Sequence, residues 1–329
     1  MGPLCFEAAF RPEAGQLVIV KRALHFAAPV AVLDLDAVVG RREQIDLVPP
    51  LLDEAVEGID DSAEEVHYPR ADLGGCLFEV DDLLVPELHL PVVEARLRER
   101  GWAGKELTPY DDLYYRRWTH ELPPISHAER GVEVDLHHAI LMRTARLKPA
   151  SELLFADARA VAGSRYAVLA PADMVLHAIV HLFYGGEMDD GLRDLVDIAD
   201  LLEHFGATEP GFWDGFWHRA EALDVTRPAW YALRYVQQLL GTRVPGHVSG
   251  AAEAAAPAPV MRAVMDRAVP LALLPAHPDV PCRASERARL ALYVRSHWVK
   301  MPPLMLARHL SYKYFMRRVR RAEQDSKSP

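Results

Sequence analysis

The chain has 329 residues, of which 50% are hydrophobic and 26% charged, so a globular protein with a sizeable core is expected. Its net charge of −10 argues against nonspecific nucleic-acid binding through a broad basic surface. Cys5, Cys76 and Cys282 lie far apart, which excludes a cysteine-rich zinc motif and makes a disulfide framework unexpected. The chain has no signal-peptide pattern and no apolar run of about 18 residues, so we expect a cytoplasmic protein without a transmembrane segment.

The first 68 residues alternate short apolar runs with acidic stretches. "QLVIV" (Gln16–Val20) and "APVAVLDLDAVV" (Ala28–Val39) are rich in β-branched residues, which is typical of strands. We expect residues 1–68 to form an N-terminal segment that packs on the core. The sequence assigns it no function.

Residues 69–165 are predicted to form an α/β core. A strand is expected at Phe78–Val85 and a helix at Leu90–Gly101, where the glycine ends the helix. "GVEVDLHHAI" (Gly131–Ile140) alternates apolar and polar residues and predicts a second strand.

Residues 166–329 are predicted to be mainly helical. One helix begins at Pro171 and stops at the glycine pair 185–186, and the next ends at Gly206. "GFWDGFWHRAEALDV" and "RPAWYALRYVQQLLG" continue as helices, whereas the small-residue stretch Gly241–Val260 predicts a loop. A small mixed sheet followed by helices makes the predicted fold class α+β.

The acidic stretch "LFEVDDLLVP" (Leu77–Pro86) carries the strongest chemical signal. It places Glu79, Asp81 and Asp82 in an apolar strand, where charge is costly unless a metal ion or another group neutralises it. Two acids on one face of a strand, with a third on a neighbouring strand, can hold Mg²⁺ against the phosphates of a nucleotide. The sequence therefore predicts phosphoryl-group chemistry.

A companion strand for this site is "VEVDLHH". Glu133, Asp135 and His137 share one face of it, and the intervening apolar residues share the other. The polar face suits a metal or substrate site. The alternative interpretation is an edge strand with a solvated face.

Three stretches together resemble a known family. They are "LFEVDDLLVPELHLPVVEARLRERGW", "YDDLYYRRWTHELPPISHAERGVEVDLHHAIL" and "LAPADMVLHAIVHLFYGGEMDDGLRDLVDIADLL". They are similar to the uncharacterised nucleotidyltransferases of the polymerase-β-like superfamily, over about residues 72–206. The resemblance implies a small mixed sheet with a helical C-terminal region. It also implies Mg²⁺-dependent transfer of a nucleoside monophosphate from a nucleoside triphosphate to an acceptor, either a small molecule or a protein.

The family's acidic ligands carry over incompletely. Aligned on "LLVP", its second aspartate falls on Asp82 and its third on Asp135, but its first falls on Val80. Three solutions are open: Glu79 and Asp81 take over the pair, a bulge brings Asp81 beside Asp82, or the site is degraded. In the last case the protein is a binding or assembly module.

The resemblance also suggests how the substrate is held. The family places a phosphate-binding glycine turn about ten residues before its aspartate pair, whereas the nearest glycines here, 74 and 75, lie too close to the strand. His181, Arg193 and Asp197 are expected to line the cleft between sheet and helices, where the planar guanidinium of Arg193 suits a phosphate. His137 and Arg117 are further substrate-binding candidates.

Three features have a second interpretation. His177 and His181, with Asp194 and Asp197, would make a metal-dependent phosphohydrolase if they shared an ion, although histidines on such a helix are more often core residues. The aromatic and basic run "YYRRWTH" either binds a base and phosphates or packs in the core. The basic C-terminal helix either contacts an anionic membrane surface weakly or packs on its own domain.

Overall fold

The computed structural model describes residues 31–32, 80–129, 132–160, 167–186, 188, 191–275 and 281–327. In this part of the chain a mixed sheet in the N-terminal part is followed by a mostly helical remainder. The predicted α+β class is therefore confirmed.

Seven strands form the sheet in the described residues. They are β1 (Ala31–Val32), β2 (Val80–Leu84), β3 (Trp102–Gly104), β4 (Ile125–His127), β5 (Val132–His137), β6 (Arg159–Ala160) and β7 (Ala167–Val168). Their order is β3-β4-β5-β2-β1-β7-β6. β2 is parallel to both neighbours, β1 and β5, and the other pairs are antiparallel. The acidic strand β2 is thus internal to the sheet, as its apolar residues suggest.

Helix α1 (Leu90–Glu99) covers one face of the sheet. The chain changes direction after this helix, at Gly101. The φ of Gly101 is +90°, which lies in the left-handed region that favours glycine, as the sequence predicts. The side chains of one cluster fill the space between this helix and the sheet: Leu83, Val85, Leu90, Val93, Leu97, Trp102, Leu122, Ile125, Val134 and Leu136.

The remaining helices extend to the end of the described chain. They are α2 (Pro109–Trp118), α3 (Ser151–Ala156), α4 (Pro171–Gly185), α5 (Gly191–Thr208), α6 (Phe212–Ala222), α7 (Thr226–Tyr235), α8 (Gly246–Ala252), α9 (Pro259–Ala272), α10 (Arg283–Lys300) and α11 (Pro303–Lys327). A π-helical turn, Val236–Leu240, follows α7 and ends at Gly241. None of the described helices is both long enough and apolar enough to cross a membrane.

Two hydrophobic cores meet at β2. Leu83 packs in the small core beneath α1, whereas its neighbour Leu84 packs in the larger core built around α4. Because successive residues of a strand point to opposite faces, the second face of the sheet is turned towards the helical region. Leu84 is the register partner of His137, so the polar residues of β5 belong to this second face.

Two sequence predictions in the helical region are wrong. Helix α5 continues past Gly206 to Thr208, because this glycine makes room for Trp213: a Cβ there would lie 2.6 Å from the Trp213 Nε1 atom. The predicted loop Gly241–Val260 contains α8, which buries Val248 and Ala252 one turn apart against the helical core.

The N-terminal strand predictions fall mostly outside the described residues. Gln16–Val20 lies wholly outside them, and from Ala28–Val39 only Ala31–Val32 is described, as β1. The two strands predicted for the core are present, at Val80–Leu84 and Val132–His137. They end one and three residues before the predicted ends, Val85 and Ile140.

Candidate functional site

The polar face of β5 is the base of the candidate site. Val134 and Leu136 are buried on the α1 side, while Glu133, Asp135 and His137 alternate with them and are only partly buried. This is the arrangement that the alternation in "VEVDLHH" predicts. The Glu133 carboxylate pairs with Lys105, whose Nζ atom lies 3.2 Å from Oε1.

The register between β2 and β5 places Asp82 directly beside Asp135. Val80 pairs with Glu133, Asp81 with Val134 and Asp82 with Asp135, without interruption from Val80 to Leu84. The bulge that would bring Asp81 to the position of Asp82 is therefore absent from β2 in the described structure. Glu79 lies outside the described residues.

A short segment after α2 adds two further polar side chains. Glu121 pairs with His137 in an isolated antiparallel bridge, and the amide of Leu122 donates to the carbonyl of Leu136 over 2.8 Å. On the preceding residue, the His120 carbonyl accepts a 2.8 Å hydrogen bond from the amide of His138. The segment is thereby hydrogen-bonded to the C-terminal end of β5.

The side chains of His120, Glu121 and His137 meet at the C-terminal end of β5. One ligand atom each from His120, Glu121 and His137 lies within 4.8 Å of the other two, and the imidazole centroids of the two histidines are 5.3 Å apart. Burial and the positive potential of His137 and Lys300 hold the pKa of His120 well below its usual range. His120 is therefore a neutral imidazole at physiological pH, able to accept a proton or to bind a metal ion.

Helices α2, α4 and α10 bring more groups close to this cluster. Burial raises the pKa of Tyr115 on α2, and the charges of Glu121 and Asp135 raise it further, so this phenol stays protonated. His177 on α4 also lowers the pKa of His120. These electrostatic effects identify one polar site between the sheet and the helical region.

Lys300 closes the site at the end of α10. Its ammonium donates to the carbonyl of Gly185 at the end of α4, and its own carbonyl accepts a 2.7 Å hydrogen bond from the Thr144 hydroxyl. Lys300 carries no recognisable motif in the sequence, and Tyr115 is marked only as part of the aromatic and basic run "YYRRWTH". Only the packing of distant helices brings them to the sheet.

The aromatic run on α2 packs against the protein's own C-terminal helix. Tyr110 stacks on Tyr312 of α11 with ring centroids 3.7 Å apart, and Tyr114 stacks on His309 at 4.8 Å. Lys313 pairs with Asp111 over 2.6 Å. These aromatic rings therefore hold α11 in place, which agrees with the packing interpretation of this run, while Arg117 on the same helix is exposed.

The predicted substrate residues of the helical region are more dispersed. His181 and Arg193 are exposed, whereas Asp197 on α5 is buried. Burial raises the pKa of Asp197 to about 6, and Arg193 partly opposes the shift. Arg193 and Asp197, four residues apart on α5, are thus close enough to interact.

The alternative metal site on α4 and α5 is not assembled. Among the described residues, His120, Glu121 and His137 form the one group of three or more potential ligands within binding distance of each other. His177 is buried and His181 is exposed, and in the described part of the chain these histidines form no close ligand group with Asp194 and Asp197. The phosphohydrolase built on this set stays a hypothesis that the structure does not support with a shared metal site.

His120 and Glu121 were not predicted as ligands. The signal was available in the two runs "WTHELPP" and "VDLHHAI", each of which carries a histidine next to another polar group. The sequence does not show that these two runs lie next to each other. His120 and His137 become neighbours only through the bridge between Glu121 and His137.

A mixed sheet with aspartates side by side on adjacent strands, backed by a helical region, is the arrangement expected of a nucleotidyltransferase domain. Residues 81–241 match the model of a protein family described as "Uncharacterised nucleotidyltransferase". Comparisons with curated proteins and with solved structures found no match.

Proposed function

We propose that the protein is a Mg²⁺-dependent nucleotidyltransferase that moves a nucleoside monophosphate from a nucleoside triphosphate to an acceptor hydroxyl. The observation that carries the proposal is the pairing of Asp82 with Asp135 on adjacent parallel strands, within a segment of the nucleotidyltransferase family. Neighbouring strands lie about 4.8 Å apart, which suits two carboxylates that share one ion.

The donor set fits Mg²⁺. Asp82 and Asp135 offer hard carboxylate oxygens, the ligands that this ion prefers. Glu133 supports the fit, because it is the register partner of Val80, the position that lacks the family's first aspartate. A carboxylate from β5 thus stands beside the vacant acidic position of β2. Bound Mg²⁺ would stabilise the negative charge that develops on the phosphoryl group.

The chain's own groups supply the rest of the chemistry. Tyr115, kept protonated by its surroundings, can donate a hydrogen bond to a phosphate oxygen. Lys300 contributes positive charge beside His120, which favours an anionic substrate on this side of the sheet. Exposed Arg193 is the candidate for the more distant phosphates.

The direct test is stabilisation by ligand. With the nucleotide and Mg²⁺ at about 100 times Kd, binding adds about 2.7 kcal/mol to the free energy of unfolding, which raises the melting temperature by roughly 5–10 °C. Asp82→Asn and Asp135→Asn should abolish this shift, and Asp81→Asn should leave it if the continuous register holds in solution. An unchanged melting temperature of the wild type, with no nucleotide transfer, would refute an active enzyme.

The rival function is a binding or assembly module, and Val80 at the first acidic position favours it. The substitution Val80→Asp separates the two functions. If the wild type is inactive, the new aspartate should create Mg²⁺-dependent nucleotide binding. If Glu133 already serves as the missing acid, Val80→Asp should change the affinity for Mg²⁺ little, because the like charges repel.

A further inference from the structure

The backbone around His120 and Glu121 is held rigidly. The buried Thr119 hydroxyl ends α2 by contacting the carbonyls of Tyr115 and Glu121, each at 2.7 Å. The His120 carbonyl accepts hydrogen bonds from two consecutive amides, those of residues 138 and 139. The bridge to His137 completes the attachment. A ligand set on such a backbone needs little ordering when an ion binds.

The distances between the side chains suit a small cation. The Glu121 Oε2 atom lies 3.9 Å from the His120 Nε2 atom and 3.8 Å from the His137 Nε2 atom. Ligands about 2.0–2.1 Å from a tetrahedral ion are roughly 3.3 Å apart, so each of these two distances exceeds that separation by only about half an ångström. The Glu121 side chain is 29% exposed, which leaves an approach from solvent.

The donor set differs from that of a magnesium site. Two imidazole nitrogens and one carboxylate oxygen suit borderline ions such as Zn²⁺, Co²⁺ or Fe²⁺, whereas Mg²⁺ prefers oxygen ligands only. Three protein ligands leave at least one coordination position for water or a substrate oxygen. The aspartates proposed for Mg²⁺ do not belong to this set.

We propose that His120, Glu121 and His137 form a binding site for one divalent transition-metal ion, separate from the Mg²⁺ site. His137 and Asp135 are alternate residues of one strand and share a face, so the ion lies beside the proposed nucleotide site. Its open position takes an oxygen ligand, either water or a phosphate oxygen. The proposal does not depend on transferase activity.

The test begins with the full chain freed of metal by a chelator. We expect one equivalent of Zn²⁺ to bind per chain in the presence of excess Mg²⁺, as measured by calorimetry. Co²⁺ should bind at the same stoichiometry, and its X-ray absorption spectrum should show two imidazole ligands. Absence of stoichiometric binding by the wild type, or a Co²⁺ spectrum without imidazole, would overturn the proposal.

Variants locate the ion. Glu121→Gln and His137→Ala should each weaken Zn²⁺ binding by more than about 10-fold. The matched control is His247→Ala, which removes an exposed histidine paired with a single carboxylate, that of Asp214, over 2.9 Å. It should leave the affinity unchanged. Circular dichroism checks that each variant folds. Equal losses in the control and the ligand variants would contradict the assignment.

Discussion

The ion pair between Asp173 and Arg219 should be one of the main contributors to stability. The Asp173 side chain on α4 is fully buried, and Arg219 on α6 reaches it with two hydrogen bonds of 2.6 and 2.7 Å. The same guanidinium also donates to the Leu153 carbonyl over 2.6 Å. Asp173 lies one turn before His177, so this pair fixes the helix that borders the candidate site.

Arg219→Met removes the partner and leaves a buried carboxylate without its counter-charge. Breaking a buried pair in this way costs about 3–5 kcal/mol. For a domain of this size the melting temperature should fall by roughly 6–20 °C. The double variant Asp173→Asn/Arg219→Met also removes the buried charge, so the remaining loss should be only about 1–3 kcal/mol.

The pH dependence gives an independent check. Burial raises the pKa of Asp173 above its ordinary value, although Arg219 opposes the shift. Without Arg219 the folded-state pKa should rise further, so the folded variant binds a proton more tightly than the unfolded chain. Its stability should therefore increase as the pH falls from 7 towards 4, and the difference from the wild type should narrow.

Denaturant unfolding at several pH values measures these effects. The matched control is Arg159→Met, because Arg159 pairs with Glu209 over 2.8 Å at the surface, where such a pair contributes at most about 1 kcal/mol. If Arg219→Met costs no more than this control, or if its loss does not shrink at low pH, the reasoning from burial is refuted.

Three further predictions concern other parts of the molecule. Gly206→Ala should lower the free energy of unfolding by about 1–3 kcal/mol in thermal melts, because the new Cβ meets Trp213. Burial raises the folded-state pKa of Asp197 from its ordinary value of 3.8 to about 6, so stability should fall as the pH rises between these values, and Asp197→Asn should remove that slope in pH-dependent unfolding. Tyr312→Ala should release α11 from Tyr110, which hydrogen exchange would detect as faster exchange of the α11 amides.

Sequence periodicity predicts the strands and helices that form the site better than it predicts which of their residues come together. The alternation in β5 and the apolar run in β2 both have local causes, and both strands are present. Helix α4 begins at Pro171 and ends beside Gly186, whose φ is +96°, so its ends also follow from local chemistry.

Two errors arose where packing overrides a local signal. Gly206 is a residue typical of helix ends, but Trp213 fills the space beside it and the helix continues. The alanine-rich stretch after Gly241 resembles a loop because of its glycines and prolines. Burial of Val248 and Ala252 against the helical core stabilises a helix there instead.

The composition of the site was only partly predictable. Asp82 and Asp135 belong to recognisable motifs, and the strand register pairs them across β2 and β5. Tyr115 lies in the run "YYRRWTH", whose two interpretations the sequence does not separate, and Lys300 has no motif because it reaches the site through the packing of a whole helix. Glu121 reaches the site through its isolated bridge to His137, which no pattern within a single segment predicts.

The contact between Thr144 and Lys300 has a consequence for biosynthesis. The two residues are 156 positions apart, so at about 5–20 residues per second the ribosome needs roughly 8–30 s to deliver the second after the first. During that delay Lys300 has not yet been synthesised, so the site around His120, Glu121 and His137 is more exposed to solvent than in the complete protein. A fragment cut to residues 81–241 would lack both Lys300 and strand β1, so expression trials should retain the downstream helices.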